Sequence, residues 1–407
     1  MSHEKMDRRN FIRNAALCGA GIGAAKIATA QDSSAPPPPS APASILDAEG
    51  AVPRRKLGST GMTIPILFMG GSQKFDPKYD KVLHRAHKMG IDYIDTAQSY
   101  GGGQSHVGVA AFHKQVGRDK VWITSKTHPK PETPEKYKEG LDDCLKTLET
   151  DYVDMYFMHM IKSEEQLNPE YIKMGDDMKK SGKTKFFGFS CHDGNVAELM
   201  QKAAKVGGID AIQFRISYRQ YGDAALNAAI DACKKAGIGL LAMKTQSSIP
   251  EDEAKVVAFQ SKEFSLGQAK LKSIWADDRI DGLVSQITNV ELLQENAAAA
   301  MSPVQLTLTE FNQLQQLARM TRSSHCLGCT HLCETKIAGK IRVGDALRYL
   351  MYADSYHDPE TGRMLYAALE SWERDFEGID FTEANKACPQ GIDIERRLSK
   401  AREVLMA

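Results

Sequence analysis

The sequence predicts an α/β protein, a (β/α)8 TIM barrel followed by a helical module that carries most of the clustered cysteines. Three observations point there. From Arg54 onward short apolar runs alternate with amphipathic stretches, and strict strand–helix alternation implies a parallel sheet. Eight such units fit between Arg54 and Ala300, the usual span of a closed barrel. The first strand–helix junction, Met69-Gly70-Gly71-Ser72, has no G-x-G-x-x-G turn, which weighs against an open, doubly wound sheet.

In chain order, residues 1–30 read as an address. Asp7-Arg8-Arg9-Asn10-Phe11-Ile12-Arg13 precedes a weakly apolar run, Ala15 to Ala25, and an A-x-A cleavage pattern, Ala28-Thr29-Ala30. The arginine pair followed by x-Phe-Ile resembles a twin-arginine signal, so the expected partner is the twin-arginine export machinery and the expected destination the periplasm, reached already folded. Residues 31–53 are rich in Pro, Ala and Ser, including Pro36 to Pro39, and read as an extended tether.

The barrel is expected over residues 54–306. It opens with a hairpin, Arg54 to Thr63, with turn residues at its centre. The strands are expected at Ile64–Gly70, Tyr93–Thr96, Val121–Lys126, Met155–His159, Phe186–Ser190, Ala211–Ile216, Gly239–Met243 and Gly282–Ile287. Helical patterns such as Lys81–Met89, Lys136–Leu148 and Ala224–Ala236 lie between them, and Gly90, Gly182 and Gly237 mark helix ends. Residues 307–407 form the helical module, with helices expected at Leu308–Thr321, Val343–Tyr352 and Arg363–Phe376. Lys+Arg and Asp+Glu both number 52 in 407 residues, so no net field argues for nucleic acid or an anionic membrane. The apolar run near the N-terminus is too short for a confident membrane span, and none is expected in the mature protein.

Catalytic groups of such a barrel sit at the C-terminal ends of its strands. Asp95 ends the second strand, Tyr100 follows in its loop, Lys126 ends the third and His159 the fourth. Singly, each has a structural reading: an ion pair for Lys126 and Asp95, packing for His159 and Tyr100. Together they suit a carbonyl/alcohol interconversion. A free tyrosine holds its proton too tightly to exchange it near neutrality. Lys126 beside it would lower its pKa, Asp95 would hold Lys126, and His159 would orient the substrate oxygen.

These four residues, with the Lys56-Leu57-Gly58 hairpin and Glu295-Asn296, resemble the aldo-keto reductase family across the whole barrel. The resemblance implies Asp95, Tyr100, Lys126 and His159 as the catalytic tetrad and NAD(P) as cofactor. It also implies cofactor contacts from Ser190, Gln213, Met243, Ser285, Asn289, Glu295 and Asn296. Four departures stand out: Cys191 in place of the usual Asn, no Gly-rich turn after the seventh strand, no Lys or Arg within Ser285–Asn289 to grip a 2′-phosphate, and Leu292 where an Arg often lies. The choice between NAD and NADP stays open.

The tail carries Cys326-x2-Cys329-x3-Cys333 and, much later, Cys388-Pro389-Gln390-Gly391-Ile392. This pattern resembles the ligation of one 4Fe-4S cluster; structural zinc is the alternative, and three cysteines within eight residues argue against disulfides. The expected function is an exported oxidoreductase moving hydride between a nicotinamide and a small carbonyl/alcohol substrate, a sugar or polyol on family grounds. The alternative is a barrel poor in cofactor that serves as an electron relay or binding protein through the cluster, with a redox partner.

Overall fold

In a computed structural model of the chain, residues 50–250 and 255–407 are described. The arginine pair, the cleavage pattern and nearly all of the tether therefore lie outside the described residues. The eight expected strands form one closed parallel barrel: β1 (Leu67–Gly70), β2 (Tyr93–Asp95), β3 (Trp122–Thr127), β4 (Val153–Met158), β5 (Thr184–Cys191), β6 (Ala211–Arg215), β7 (Gly239–Met243) and β8 (Gly282–Gln286). Each strand pairs with its sequence neighbours, and β8 closes onto β1.

One expected strand divides. The run Ile64–Gly70 gives its first part to the hairpin, where Thr63–Pro65 pairs antiparallel with Arg54–Lys56, and only Leu67–Gly70 enters the barrel. Pro65 has no N–H to continue a ladder, and the Ile66 N–H goes to the Pro53 carbonyl instead. The hairpin is a plug for the barrel floor. Leu57 and Ile64 pack with Phe68, Tyr93, Trp122, Met155, Phe157, Ala211 and Leu241, and all of these are buried. Full burial of side chains such as Leu57 and Ile64 stabilises by roughly 1.5–3 kcal/mol each. Gly58 adopts a φ of +48°, and a Cβ there would lie 2.4 Å from the Gly237 carbonyl oxygen. Asp281 fixes the plug by accepting the N–H groups of Gly58 (3.0 Å) and Leu240 (2.9 Å) while pairing with Lys234 at 2.6 Å.

Helices α1 (Lys81–Lys88), α2 (Gln104–Val116), α3 (Pro134–Leu148), α4 (Pro169–Lys180), α5 (Val196–Val206), α6 (Ala224–Lys235), α7 (Leu266–Trp275) and α8 (Val290–Met301) follow the strands in turn. Their starts are written in the sequence. Asp80, Thr133, Asn168, Asp223, Ser265 and Asn289 each accept an N–H of the following turn. Helix α9 (Leu308–Met320) packs with the barrel side, where Phe311, Leu314 and Leu317 share a core with Tyr218, Phe264 and Ala269.

Beyond α9 the tail builds its own core, with Ile341, Leu350, Tyr366, Phe381 and Leu398 among its buried residues. It contains α10 (Val343–Ser355), α11 (Pro359–Ala367) and α12 (Ile394–Met406). The helix expected at Arg363–Phe376 is broken. It starts early, at Pro359, where Asp358 caps it, and ends at Ala367. A separate turn, Ser371–Arg374, begins where the Glu373 carboxylate accepts the Glu370 N–H at 2.9 Å. The tail is seated on the C-terminal mouth of the barrel. Gly194 N–H donates to the Gly328 carbonyl (3.0 Å), Ser247 Oγ meets His325 Nε2 (3.0 Å), and Arg348 pairs with Asp193 (3.5 Å). A Cβ on Gly194 would stand 2.5 Å from the Cys329 Cα, so the loop after β5 touches the cysteine loop directly.

Candidate active site

Side chains alternate faces along a strand, so residues two apart share the barrel interior. Tyr93, Trp122, Met155, Phe157, Ala211 and Leu241 line the inner core. Two-residue steps toward the mouth then reach Asp95 on β2, Lys126 on β3, His159 after β4, Gln213 and Arg215 on β6 and Met243 on β7. Lys126 is fully buried and ion-pairs with Asp95 Oδ1 at 2.7 Å. Its ammonium also donates to the Thr96 carbonyl at 2.8 Å. Leaving one member of such a buried pair alone costs about 3–5 kcal/mol. Tyr100 reaches over the pair from a turn whose next three residues, Gly101, Gly102 and Gly103, all have positive φ. Its ring meets His159 edge-on at 5.6 Å between centroids, and Lys126 Nζ lies 4.9 Å from the ring centre. All four residues of the expected tetrad converge.

Their protonation differs from expectation in one respect. Lys126 was expected to acidify Tyr100, but it spends its hydrogen bonds on Asp95 and Thr96. Burial first, then the Asp95 carboxylate and Tyr352, push the phenol well above its ordinary pKa. Burial first, then Lys126, His128, Arg348 and Lys244, hold the His159 imidazole well below its ordinary value. The site is therefore poised with a protonated phenol and a neutral imidazole.

The residues expected to hold the cofactor separate into two groups. Ser190, Gln213 and Met243 stand at the mouth beside the tetrad. Ser190 Oγ accepts the Met160 N–H at 3.0 Å, and the Gln213 Nε2 is buried with no hydrogen-bond partner among the described residues. A buried amide donor left unmatched beside these four residues fits a carboxamide oxygen such as that of a nicotinamide. The others are engaged behind β8. Asn296 Nδ2 donates to Ser285 Oγ at 3.0 Å, Asn289 caps α8, and Glu295 accepts the Ser265 hydroxyl.

Residues 67–248 match the sequence profile of the Aldo/keto reductase family. Over this stretch, just under half of the chain, the barrel is similar to that family. The chain is similar to L-galactose dehydrogenase of Arabidopsis thaliana, 25% identical over 280 residues that cover 60% of this chain and 87% of the relative. It is 33% identical over 162 residues to the glycerol 2-dehydrogenase (NADP(+)) of Saccharomyces cerevisiae, covering 38% of this chain and 49% of the relative. Among solved structures, an aldo-keto reductase from Bacillus halodurans in its holo form superposes with a TM-score of 0.56 at 21% identity. That match covers 65% of this chain and 95% of the other, and shows the shared fold. The barrel is thus an NAD(P)-dependent oxidoreductase of the aldo/keto reductase type.

Outside the tetrad, this reductase brings to its mouth residues that the sequence did not announce: His192, Arg215, Arg348, Tyr352 and Tyr356. In the tail, Cys326, Cys329, Cys333 and Cys388 line one small cavity with Leu327, Leu332, Val343, Leu347, Ile392 and Ile394. None of the described cysteines is bridged. Among the described residues no group of three or more His, Cys, Asp or Glu side chains, the four expected cysteine ligands included, is placed to hold a metal ion.

Proposed function

We propose that this chain is an exported aldo/keto reductase that interconverts a small carbonyl compound and its alcohol, with sugars and polyols as the substrate class. The Asp95–Lys126 pair set beneath Tyr100 and His159 is the observation that carries this reading. A nicotinamide held by Gln213, Ser190 and Met243 would supply or accept the hydride. Tyr100 gives its phenolic proton to the substrate oxygen during reduction and takes it back during oxidation. His159, neutral, hydrogen-bonds the same oxygen and fixes which face of the carbon meets the cofactor. Lys126 compensates the charge left on the phenol once its proton has gone, and Asp95 keeps that ammonium in place. The sugar dehydrogenase and polyol dehydrogenase among the relatives support the substrate class. The test is nicotinamide-linked turnover of sugars and polyols by the full chain, with mass spectrometry of any co-purified cofactor. An absence of both turnover and nicotinamide binding would sink this reading.

The four cysteines support a 4Fe-4S cluster as the resident group of the tail. All four thiols line one cavity, and a cubane cluster would take one thiolate on each of its irons. Hydride transfer moves an electron pair and a cluster moves one electron, so the cluster is assigned to holding the tail on the mouth. Export rests on the residues 8–13 pattern: replacing Arg8 and Arg9 together by Lys should strand the precursor in the cytoplasm. Processed protein still appearing in the periplasm would refute it.

A further inference from the structure

Between the barrel mouth and the tail lies a small cavity, partly open to solvent. Arg215, Lys244, Arg348 and Arg397 line it together with His192 and His325, and no carboxylate is among its lining residues. Arg348 is committed to Asp193 and Asp345, which also face Lys162 at 3.9 and 3.6 Å, and Arg397 faces Asp354 at 3.6 Å. Lys244 has no acidic partner among the described residues. Its ammonium meets only the Tyr352 hydroxyl at 3.3 Å and the rings of Tyr352 and Tyr356 at 4.4 and 5.1 Å. Its backbone sits at a φ of +58°, a conformation that non-glycine residues adopt at a cost, and it stands one residue past Met243 at the end of β7. Among the described residues the Arg215 guanidinium has one long hydrogen bond, to the Cys326 carbonyl at 3.4 Å, with Cys326, Asp193 and Cys191 near enough to act on its charge. His192 Nδ1 is buried with no hydrogen-bond partner among the described residues. Burying positive charge without a counterion is expensive, so the Lys244 ammonium, with no acidic partner among the described residues, gives this cavity the chemistry of an anion receptor.

The cavity lies at the same mouth as the tetrad: Arg215 ends β6, two residues past Gln213, and Lys244 follows Met243 at the end of β7. We propose that Lys244, Arg348 and Arg215, with His192, bind an oxyanion of the substrate, so that the compound reduced or oxidised is acidic, carrying a carboxylate a few atoms from the reacting carbon. This rests on the reductase reading above and narrows its substrate class. The same cations could instead face the phosphates of the cofactor, and the experiment separates the two sources.

The measurement compares kcat/KM of the full chain for a hexose and for the matching hexuronate, glucose and glucuronate. Glucuronate is expected to lead by at least about tenfold, a difference worth about 1.4 kcal/mol. Lys244→Met should collapse the lead, and Lys244→Arg, which keeps the charge, should restore most of it. Equal kcat/KM for the two sugars, or a lead that survives Lys244→Met, overturns the proposal. So does a loss of NAD(P) affinity in Lys244→Met with the lead unchanged, which would assign the cations to cofactor phosphate. If neither sugar turns over, the reductase reading is what fails. Calorimetric binding of glucuronate, weakened about tenfold or more by Lys244→Met, then decides the anion site on its own, and no binding to the wild-type chain refutes it.

Discussion

Replacing Tyr100 by Phe is expected to lower turnover by about 10²-fold or more while leaving nicotinamide binding intact. The ring keeps its edge contact with His159 and its place over Lys126, so packing changes little. Only the exchangeable proton is lost. A 10²-fold loss corresponds to about 2.7 kcal/mol of transition-state stabilisation. His159 cannot substitute, because burial and four neighbouring cationic or histidine groups keep it from holding a proton to give. The check is single-turnover rate and cofactor titration on the same preparation. A rate close to wild type would remove Tyr100 from the chemistry, and a parallel loss of cofactor affinity would make its role structural.

The second large effect concerns Cys388. Cys388→Ser should cost most of the iron, and with it the order of the tail, while the barrel survives. Cys388 follows the short helix Thr382–Ala387 and is a long stretch of chain away from Cys326, Cys329 and Cys333, yet all four line one cavity. As a ligand it would close a large loop, and metal binding in small modules is coupled to folding. The tail has its own core, separate from the barrel's, so it can loosen alone. Iron and sulfide per chain, zinc, and limited proteolysis would be measured on anaerobically purified protein. About four irons are expected in the wild type and few in the variant. One zinc with no sulfide would assign the site to structural zinc, and no metal of either kind would end the cluster proposal.

The barrel and its tetrad were legible because they follow from period two. Once Tyr93, Trp122 and Phe157 are placed inside, Asp95, Lys126 and His159 must face the same way. Arg215 could have been read by the same step from Gln213. Ser285 could not be placed on family resemblance alone: Val284 points into the barrel, so Ser285 points outward to Asn296. The hairpin and first strand merged in the sequence because Ile64 and Ile66 are both apolar, and Pro65 was the one mark of the break. The roof was illegible for a different reason. Arg348, Tyr352 and Tyr356 are spaced by four and so share one helix stripe, but amphipathicity says only that a face is covered. What covers it depends on long-range docking, here of α10 on the loops after β5 and β7.

The plug of the barrel floor also sets the molecule's polarity. Val52 donates to the Met89 carbonyl and Gly50 lies near Met301, so the chain joins the barrel beside the ends of α1 and α8, at the end away from the mouth. The C-terminal helix, by contrast, is part of the roof. A surface, bead or fusion partner attached through the first fifty residues would hold the protein by its base with the catalytic opening facing outward. The same attachment through Met406 would pull on the element that shapes that opening.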